Sequence, residues 1–197
     1  MLGLGLDLAL GPKGGGFNPT SLFADGSLGQ WIDPSDITTL YRDDIGTRVT
    51  ADGQSLGVVV DKSKGQALGP ELVNNGAFNS DLTGWTLGVD PLQVIATWVS
   101  GSAQLSRGTG GSNGFSQSIG SFVSGELLRV RFTVVSGVAA CGGPFPSVGS
   151  LTGSVDLVVP AFNSSAAFRM WPTNPSTTCV IDNVSVMKIA GYHSQQG

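Results

Sequence analysis

A stretch of alternating apolar and polar residues, LLRVRFTVV at 127–135, constrains the fold of this chain more than any other feature. The even-numbered residues from Leu128 to Val134 are apolar, and the residues between them are Arg or Thr. A period of two is typical of a β-strand with one face in a core and the other in water. The stretch therefore predicts a strand of an antiparallel sheet.

Shorter strand patterns recur through the second part of the chain, where Gly, Asn and Ser separate them. Only 12% of the residues are charged and 30 are Gly, so long helices are not expected. Short strands at roughly even spacing predict a β-sandwich or jelly roll of eight or nine strands. The predicted strands lie near 72–78, 85–88, 92–99, 103–106, 114–119, 127–135, 155–159, 166–171 and 179–187.

The first part of the chain has irregular local patterns in place of strands. The glycine-rich stretch 11–16 predicts a hinge. Asp33 is a suitable N-cap for a short helix of two or three turns, which Gly46 would end. The pair Asp52–Gly53 predicts the turn of a hairpin.

The fold class predicted from these patterns is all-β: an antiparallel β-sandwich or jelly roll, preceded by an extended N-terminal arm with a short helix and a hairpin. Residues 1–67 would form an attachment or oligomerisation arm, 68–190 the jelly-roll domain and 191–197 a C-terminal tail. Because the arm has few core-forming residues, we expect it to pack on a neighbour, either its own second part or another subunit.

Leucine occupies every second position from Leu2 to Leu10, the pattern of a strand with one apolar face. A cleaved signal is disfavoured because no basic region precedes it and Asp7 interrupts it. We expect an arm that adds a strand to a neighbouring subunit; the alternative is a strand in the chain's own sheet. The candidate subunit or capsid contacts are Leu2, Leu4, Leu6, Leu8, Leu10, Phe17, Phe23 and Trp31.

Composition argues against several classes of partner and cofactor. The net charge is −4 and the basic residues are scattered, so no nucleic-acid partner is expected. No run of 18 apolar residues is present, so no membrane partner is expected. Cys141 and Cys179 with the single His193 do not make a four-ligand zinc site, and free or incidentally paired cysteines are expected. We predict no metal and no cofactor.

The titratable residues do not form a recognisable catalytic pattern. Glycoside hydrolysis needs two carboxylates across one bond, and no pair of acids in the β domain suggests this. His193 lies in a tail, so we predict no enzyme activity. Trp98 and Trp171 are candidate glycan-binding residues because indole rings stack on sugar faces; the alternative is packing in the core.

Two stretches resemble the ends of carbohydrate-binding-module-like jelly rolls: ELVNNGAFNSDLTGW at 71–85 and CVIDNVSVM at 179–187. The resemblance implies an opening N-G-x-F…G-W strand beside a final strand with I-D-N-V. Members of this group often place a calcium-binding carboxylate where this chain has Ala77 and Asn79. Asp182 remains as an oxygen donor, and no calcium site is predicted.

The earlier segment 21–65 is similar to a leader found on tailed-phage structural proteins, with the order D-P-S-D…D…G-T…V-T…G…G…D-K-S retained. Together the resemblances imply a tailed-bacteriophage virion structural protein assembled in the host cytoplasm. The favoured function is a capsid decoration or cement protein, a homotrimer bound to the major capsid protein. The alternative is a module of a tail or head fibre that binds host cell-surface glycan.

Overall fold

A computed structural model describes residues 19–23, 31–43, 47–63, 68–123, 125–161, 167–189 and 194–195. Regular structure in these residues is almost entirely β, with two short 3₁₀ helices at Pro19–Phe23 and Ile37–Thr39. The strands are β1 Leu40–Tyr41, β2 Val58–Val59, β3 Leu68–Glu71, β4 Val94–Val99, β5 Ser102–Arg107, β6 Ser116–Ser118, β7 Leu127–Gly142, β8 Val148–Pro160, β9 Ala167–Pro172, β10 Thr177–Ile189 and β11 Ser194–Gln195.

Strands β3 to β10 form one antiparallel sheet, which curls around a single core. The main strand order is β4-β5-β10-β7-β9-β6, with β3 beside β10 and β8 beside β7. The long strand β7 pairs with β10 along its first half and with β9 near its end, so one strand joins both halves of the fold. The predicted antiparallel β-sandwich or jelly roll is confirmed.

The alternation in β7 has the predicted effect, since Leu128, Val130 and Phe132 are buried in the core. The strand continues seven residues past the predicted end at 135, because a bulge lets it change partners. Gly137 lies at this bulge with φ of +77°, and a Cβ there would overlap the carbonyl oxygen of Thr178. Glycine is therefore required where β7 bends.

Aromatic residues fill the centre of the core. The rings of Trp85 and Phe115 stack with centroids 4.5 Å apart and planes inclined by 1°. Phe78 and Phe168 pack around this pair, with ring centroids 5.6 and 6.4 Å from that of Trp85. Cys179 is also buried in this core. Burial of this much aromatic surface stabilises the domain.

The helix predicted from Asp33 to Gly46 is wrong in extent and position. Among residues 33–43, which the structure describes, only the 3₁₀ helix Ile37–Thr39 forms, and its N-cap is Asp36, whose carboxylate accepts from the backbone N–H of Thr38 at 3.1 Å. The chain then enters β1, where Leu40 and Tyr41 are buried as a strand. Pairing with β2 outweighs the local helix signals here.

The predicted hairpin also differs from the structure in its pairing. The turn at Asp52–Gly53 forms, with φ of +79° at the glycine. However, β2 pairs with β1 and β11 in a separate three-stranded sheet, and Val49 instead donates its N–H to the carbonyl of Leu40 at 3.1 Å.

The described part of the N-terminal region packs on the chain's own β domain. Strands β1 and β2 lie on the outer face of the large sheet, at the start of β7. The described residues of this region thus contact the chain's own second part, which is one of the two neighbours expected for it. The buried residues at this junction are Tyr41, Val58, Val60, Leu127, Val158 and Ile189.

Hydrogen bonds and ion pairs join two separate motifs of the N-terminal region, D-P-S-D at 33–36 and D-K-S at 61–63. The buried carboxylate of Asp61 accepts the backbone N–H groups of Trp31 and Ser63, each at 2.8 Å. The Lys62 ammonium lies 2.9 and 3.0 Å from the carboxylates of Asp33 and Asp36. The D-P-S-D and D-K-S motifs therefore form one structural unit.

This unit is expected to loosen in acid. A hydrogen bond from the Ser35 hydroxyl and, next, the Lys62 ammonium lower the pKa of Asp33 to about 2 from 3.8. Because the folded pKa is the lower one, the stabilisation is complete above about pH 5 and is lost as the pH falls towards 2. The NMR chemical shift of the Trp31 indole, measured between about pH 5 and pH 2, will report this loss of stabilisation. Asp33→Asn should weaken the pH dependence, whereas exposed Asp52→Asn should leave it unchanged.

Candidate functional site

Trp98 lies near the end of β4, which is an edge strand of the large sheet. Its side chain is 42% exposed, whereas Val94 at the start of the same strand face is buried. The indole Nε1 donates to the carbonyl oxygen of Phe78 at 2.6 Å. This bond fixes the ring while much of it faces solvent, so Trp98 presents a preorganised apolar plate.

The turn after Trp98 holds the edge strand against β5. Ser100 and Gly101 have φ of 49° and 84°, as in a two-residue type I′ hairpin turn. On the other side of the ring, Phe78 anchors its own loop by burying its side chain completely in the core. The carbonyl that receives the indole N–H is therefore rigidly placed.

Two polar residues follow Phe78 directly in the chain. Asn79 and Ser80 are exposed. The loop is held by the side-chain amide of Asn75, which donates to the Asp81 carbonyl and carboxylate at 3.0 and 3.2 Å. The Asp81 carboxylate also accepts the backbone N–H of Thr83, the main reason that its pKa is lowered. An aromatic plate beside a fixed polar loop is suited to a sugar ring.

The structure does not bring the two predicted glycan-binding tryptophans together. Trp171 lies on β9, which β5, β10 and β7 separate from β4 in the sheet. It is 8% exposed and packs in the core, where a Cβ on Gly142 would come 3.1 Å from its ring. In this conformation Trp171 offers no ring face to a ligand, whereas Trp98 does. Trp85 is also a core residue.

The predicted subunit contacts remain predictions. Leu2, Leu4, Leu6, Leu8, Leu10 and Phe17 lie outside the described residues, and for Phe23 the backbone alone is described. Trp31 is half-buried, and the Lys62 ammonium sits over its ring, 4.6 Å from the centroid. One face of the Trp31 ring is thus occupied by its own chain.

Several acids of the described β domain are engaged in local structure. Glu126 pairs with Lys188 at 3.1 Å, and Glu71 accepts from the Ser185 hydroxyl at 2.6 Å. Asp182, the candidate calcium ligand, accepts the backbone N–H of its neighbour Asn183 at 2.7 Å. Within the described ranges, no three His, Cys, Asp or Glu side chains are grouped to hold a metal ion.

The cysteines and helices add two further observations. Cys141 and Cys179 are free thiols, and burial raises the pKa of each to about 12. Thiols in this state are poor nucleophiles. In the part of the chain that the structure describes, neither helix has the length and apolar character needed to cross a bilayer.

Sequence reasoning named Trp98 as a candidate but did not predict what positions its ring. The positions of the Phe78 carbonyl oxygen and of the Asn75 side-chain amide depend on the backbone path of the loop. The residue types alone do not reveal this path. The available signal was the N-G-x-F motif, whose glycine allows this loop to approach β10 closely. As the resemblance implied, the segment lies beside the final strand, where Val184 donates its N–H to the Gly76 carbonyl at 2.9 Å.

No protein-family model matches the sequence, and no curated protein matches it. Two variants of the family 29 carbohydrate-binding module CBM29-2 are similar over 60% and 62% of this chain and 89% and 93% of theirs. Their identities are 13% and 12% and their TM-scores 0.41 and 0.42. The enzymatically active domain of bacteriophage CBA120 tailspike protein 4 is similar over 60% of this chain and 21% of its own, with 18% identity and a TM-score of 0.39. Similarity at this level does not extend beyond general architecture.

Proposed function

We propose that the β domain is a non-catalytic glycan-binding module in which Trp98 is the sugar-stacking residue. The observation that supports this is the fixed indole, 42% exposed, with its N–H bound to the Phe78 carbonyl. A sugar presents an apolar C–H face, which covers an aromatic ring well, and hydroxyl groups, which need polar partners at its edge. The exposed residues Asn79 and Ser80, which follow Phe78 in the chain, are the candidates for such partners.

A binding role fits the chemistry of the acids better than a hydrolytic role. Asp156 forms two hydrogen bonds with the Arg129 guanidinium, at 2.9 and 2.6 Å, and these bonds with the positive charge keep its pKa low. A glycosidase needs one carboxyl with a raised pKa as its general acid, opposite a second carboxylate. The described acids are instead bound to cations and backbone N–H groups.

We also propose that this module is carried on a phage particle. The resemblance of the leader to phage structural proteins supports a place on a virion. A fibre module fits better than a capsid cement protein, because Tyr41, Val58 and Val60 bury their side chains against their own β domain. They are therefore not available to bridge capsid subunits. Copy number per particle tests this point, since fibres are far less numerous than capsid subunits.

Trp98→Ala is expected to abolish glycan binding. The test is a glycan array with the full chain, followed by calorimetry on the best ligand. Loss of a central aromatic contact is worth about 2 kcal/mol or more, so affinity should fall by at least about 30-fold. Trp98→Phe should keep part of the affinity, because it retains a ring and loses only the bond to Phe78.

The matched control is Leu92→Ala, which shortens an exposed apolar side chain that is not aromatic. It should bind as the wild type does, and both variants should unfold at temperatures close to that of the wild type. If the wild-type chain binds no glycan, or if Trp98→Ala binds as tightly as wild type, the proposal is wrong.

A further inference from the structure

A cleft of about 200 Å³ lies between the N-terminal region and the outer face of the large sheet. Arg48 and Tyr41 line it from the N-terminal side, and Arg129 lines it from β7. Its remaining walls are largely apolar and include Val158 and Ile189. The cleft is thus formed only when the two parts of the chain pack together.

The guanidinium of Arg48 is held in place by its own region. Its carbon atom lies 5.3 Å from the centroid of the Tyr41 ring, and Nη1 donates to the Thr38 carbonyl at 2.9 Å. A guanidinium has five N–H donors in a rigid fork, and this carbonyl takes one of them. The stacked ring and the single bond orient the group without saturating it.

The second guanidinium is fixed from the opposite wall. Arg129 donates to both oxygens of Asp156 through Nε and Nη2, which orients the side chain and leaves Nη1 outside this pair. Arg131 lies two residues along the same strand face and, with Arg48, helps to lower the pKa of Asp156. Three guanidiniums therefore act on one carboxylate, a local positive excess in a chain of net charge −4.

We propose that this cleft is an oxyanion-binding subsite, and that its ligand is the carboxylate group of an acidic saccharide. Two guanidinium groups that line one cavity match the planar, bidentate geometry of a carboxylate. A volume of about 200 Å³ suits one charged sugar residue. The subsite does not depend on Trp98 and is a separate proposal from the stacking surface.

The test is calorimetric titration of the full chain with three probes: glucuronate, inorganic sulfate and glucose. Glucuronate should bind and glucose should not, and binding should weaken as salt is added. Glucuronate binding more tightly than sulfate supports an acidic saccharide as the ligand. If sulfate binds as tightly or more tightly, the site takes free anions and the saccharide assignment is wrong.

Arg48→Gln should weaken glucuronate binding at least 10-fold, and Arg48→Lys should recover only part of it, because the charge remains while the fork is lost. Arg169→Gln is the matched control: it removes the same charge on β9, where Arg169 bonds to Asn113 at 3.0 Å, and should bind as wild type.

A shift of the Arg129 Nε–H resonance on addition of glucuronate gives a readout that does not depend on a variant. Trp98→Ala should leave this binding intact, which separates the two proposals. Equal binding by wild type and Arg48→Gln, or no binding of either anion, would overturn this one.

Discussion

Gly76→Ala is expected to destabilise the β domain by about 3 kcal/mol or more, enough to prevent folding in many domains of this size. A Cβ at this position would overlap the carbonyl oxygen of Val184 in β10. The clash is with backbone, and the Gly76 carbonyl is itself bonded to the Val184 N–H, so no side-chain rotation relieves it. Urea unfolding followed by tryptophan fluorescence measures the effect.

Gly69→Ala is the control for this prediction. Gly69 lies in β3 beside the same final strand, but a Cβ there would meet the Lys188 carbonyl oxygen at 3.5 Å, an ordinary contact. Its change in unfolding free energy should stay within about 0.5 kcal/mol. A Gly76→Ala chain as stable as wild type would show that the opening segment does not pack on β10 as the structure has it.

Most strand patterns were predictable from the sequence because a period of two is a local property, but the strands predicted near 72–78 and 85–88 do not form. The first half of β7 and most of β10 follow this rule. The second half of β7 was not predicted, since its course depends on Gly137 and on the strand that faces it. The first half of β8 was missed for a related reason: its residues from Gly149 to Ser154 are largely exposed and small, and leave no apolar signal.

The N-terminal region shows how tertiary contacts override local preference. Asp33 and Pro34 are good residues for a helix start, yet the chain extends at Leu40 because β2 pairs with it. The partner lies about twenty residues further along the chain, beyond the range of any local pattern. Likewise, the ion pairs between Lys62 and the two aspartates join motifs that the sequence presents as separate signals.

The candidate sites were less predictable than the fold. Whether a tryptophan in a strand is exposed depends on the position of that strand in the sheet, and this is why Trp98 and Trp171 differ. The sequence marked both as candidates and could not separate them. Arg48 and Arg129 are far apart in the chain, and they line one cleft only because the N-terminal region lies on the start of β7.

Gln117→Leu is expected to cost about 2–4 kcal/mol, because it leaves three backbone groups without their partner. Gln117 is 4% exposed, and its Oε1 accepts the N–H of Asn74 at 2.7 Å. Its Nε2 donates to the carbonyls of Asn74 and Gly84 at 2.9 and 3.0 Å. One side chain thus joins β6 to both ends of the loop that contains Phe78. The measurement is again urea unfolding.

Gln117→Glu tests the same contacts in a different way. Its carboxylate would point an acceptor at two carbonyl oxygens, and the charge would be largely buried, so at neutral pH the variant should be at least as unstable as Gln117→Leu. Burial raises the pKa of this carboxyl and protonation restores one donor, so the stability relative to wild type should rise as the pH falls from neutral towards about 4. Gln104→Leu, a half-buried residue on the outer sheet face, should change stability by less than about 1 kcal/mol.

The Gln117 contacts also connect stability to the proposed function. The carbonyl that fixes the Trp98 indole belongs to Phe78, inside the loop that Gln117 closes. Gln117→Leu, at a temperature where the domain remains folded, should therefore weaken glycan binding while leaving the Trp98 side chain unchanged. Binding of glucuronate at the Arg48 cleft should not change, because that cleft lies on the opposite face of the sheet from this loop. Equal loss of both activities would mean that Gln117 supports the fold as a whole and does not position the Trp98 ring.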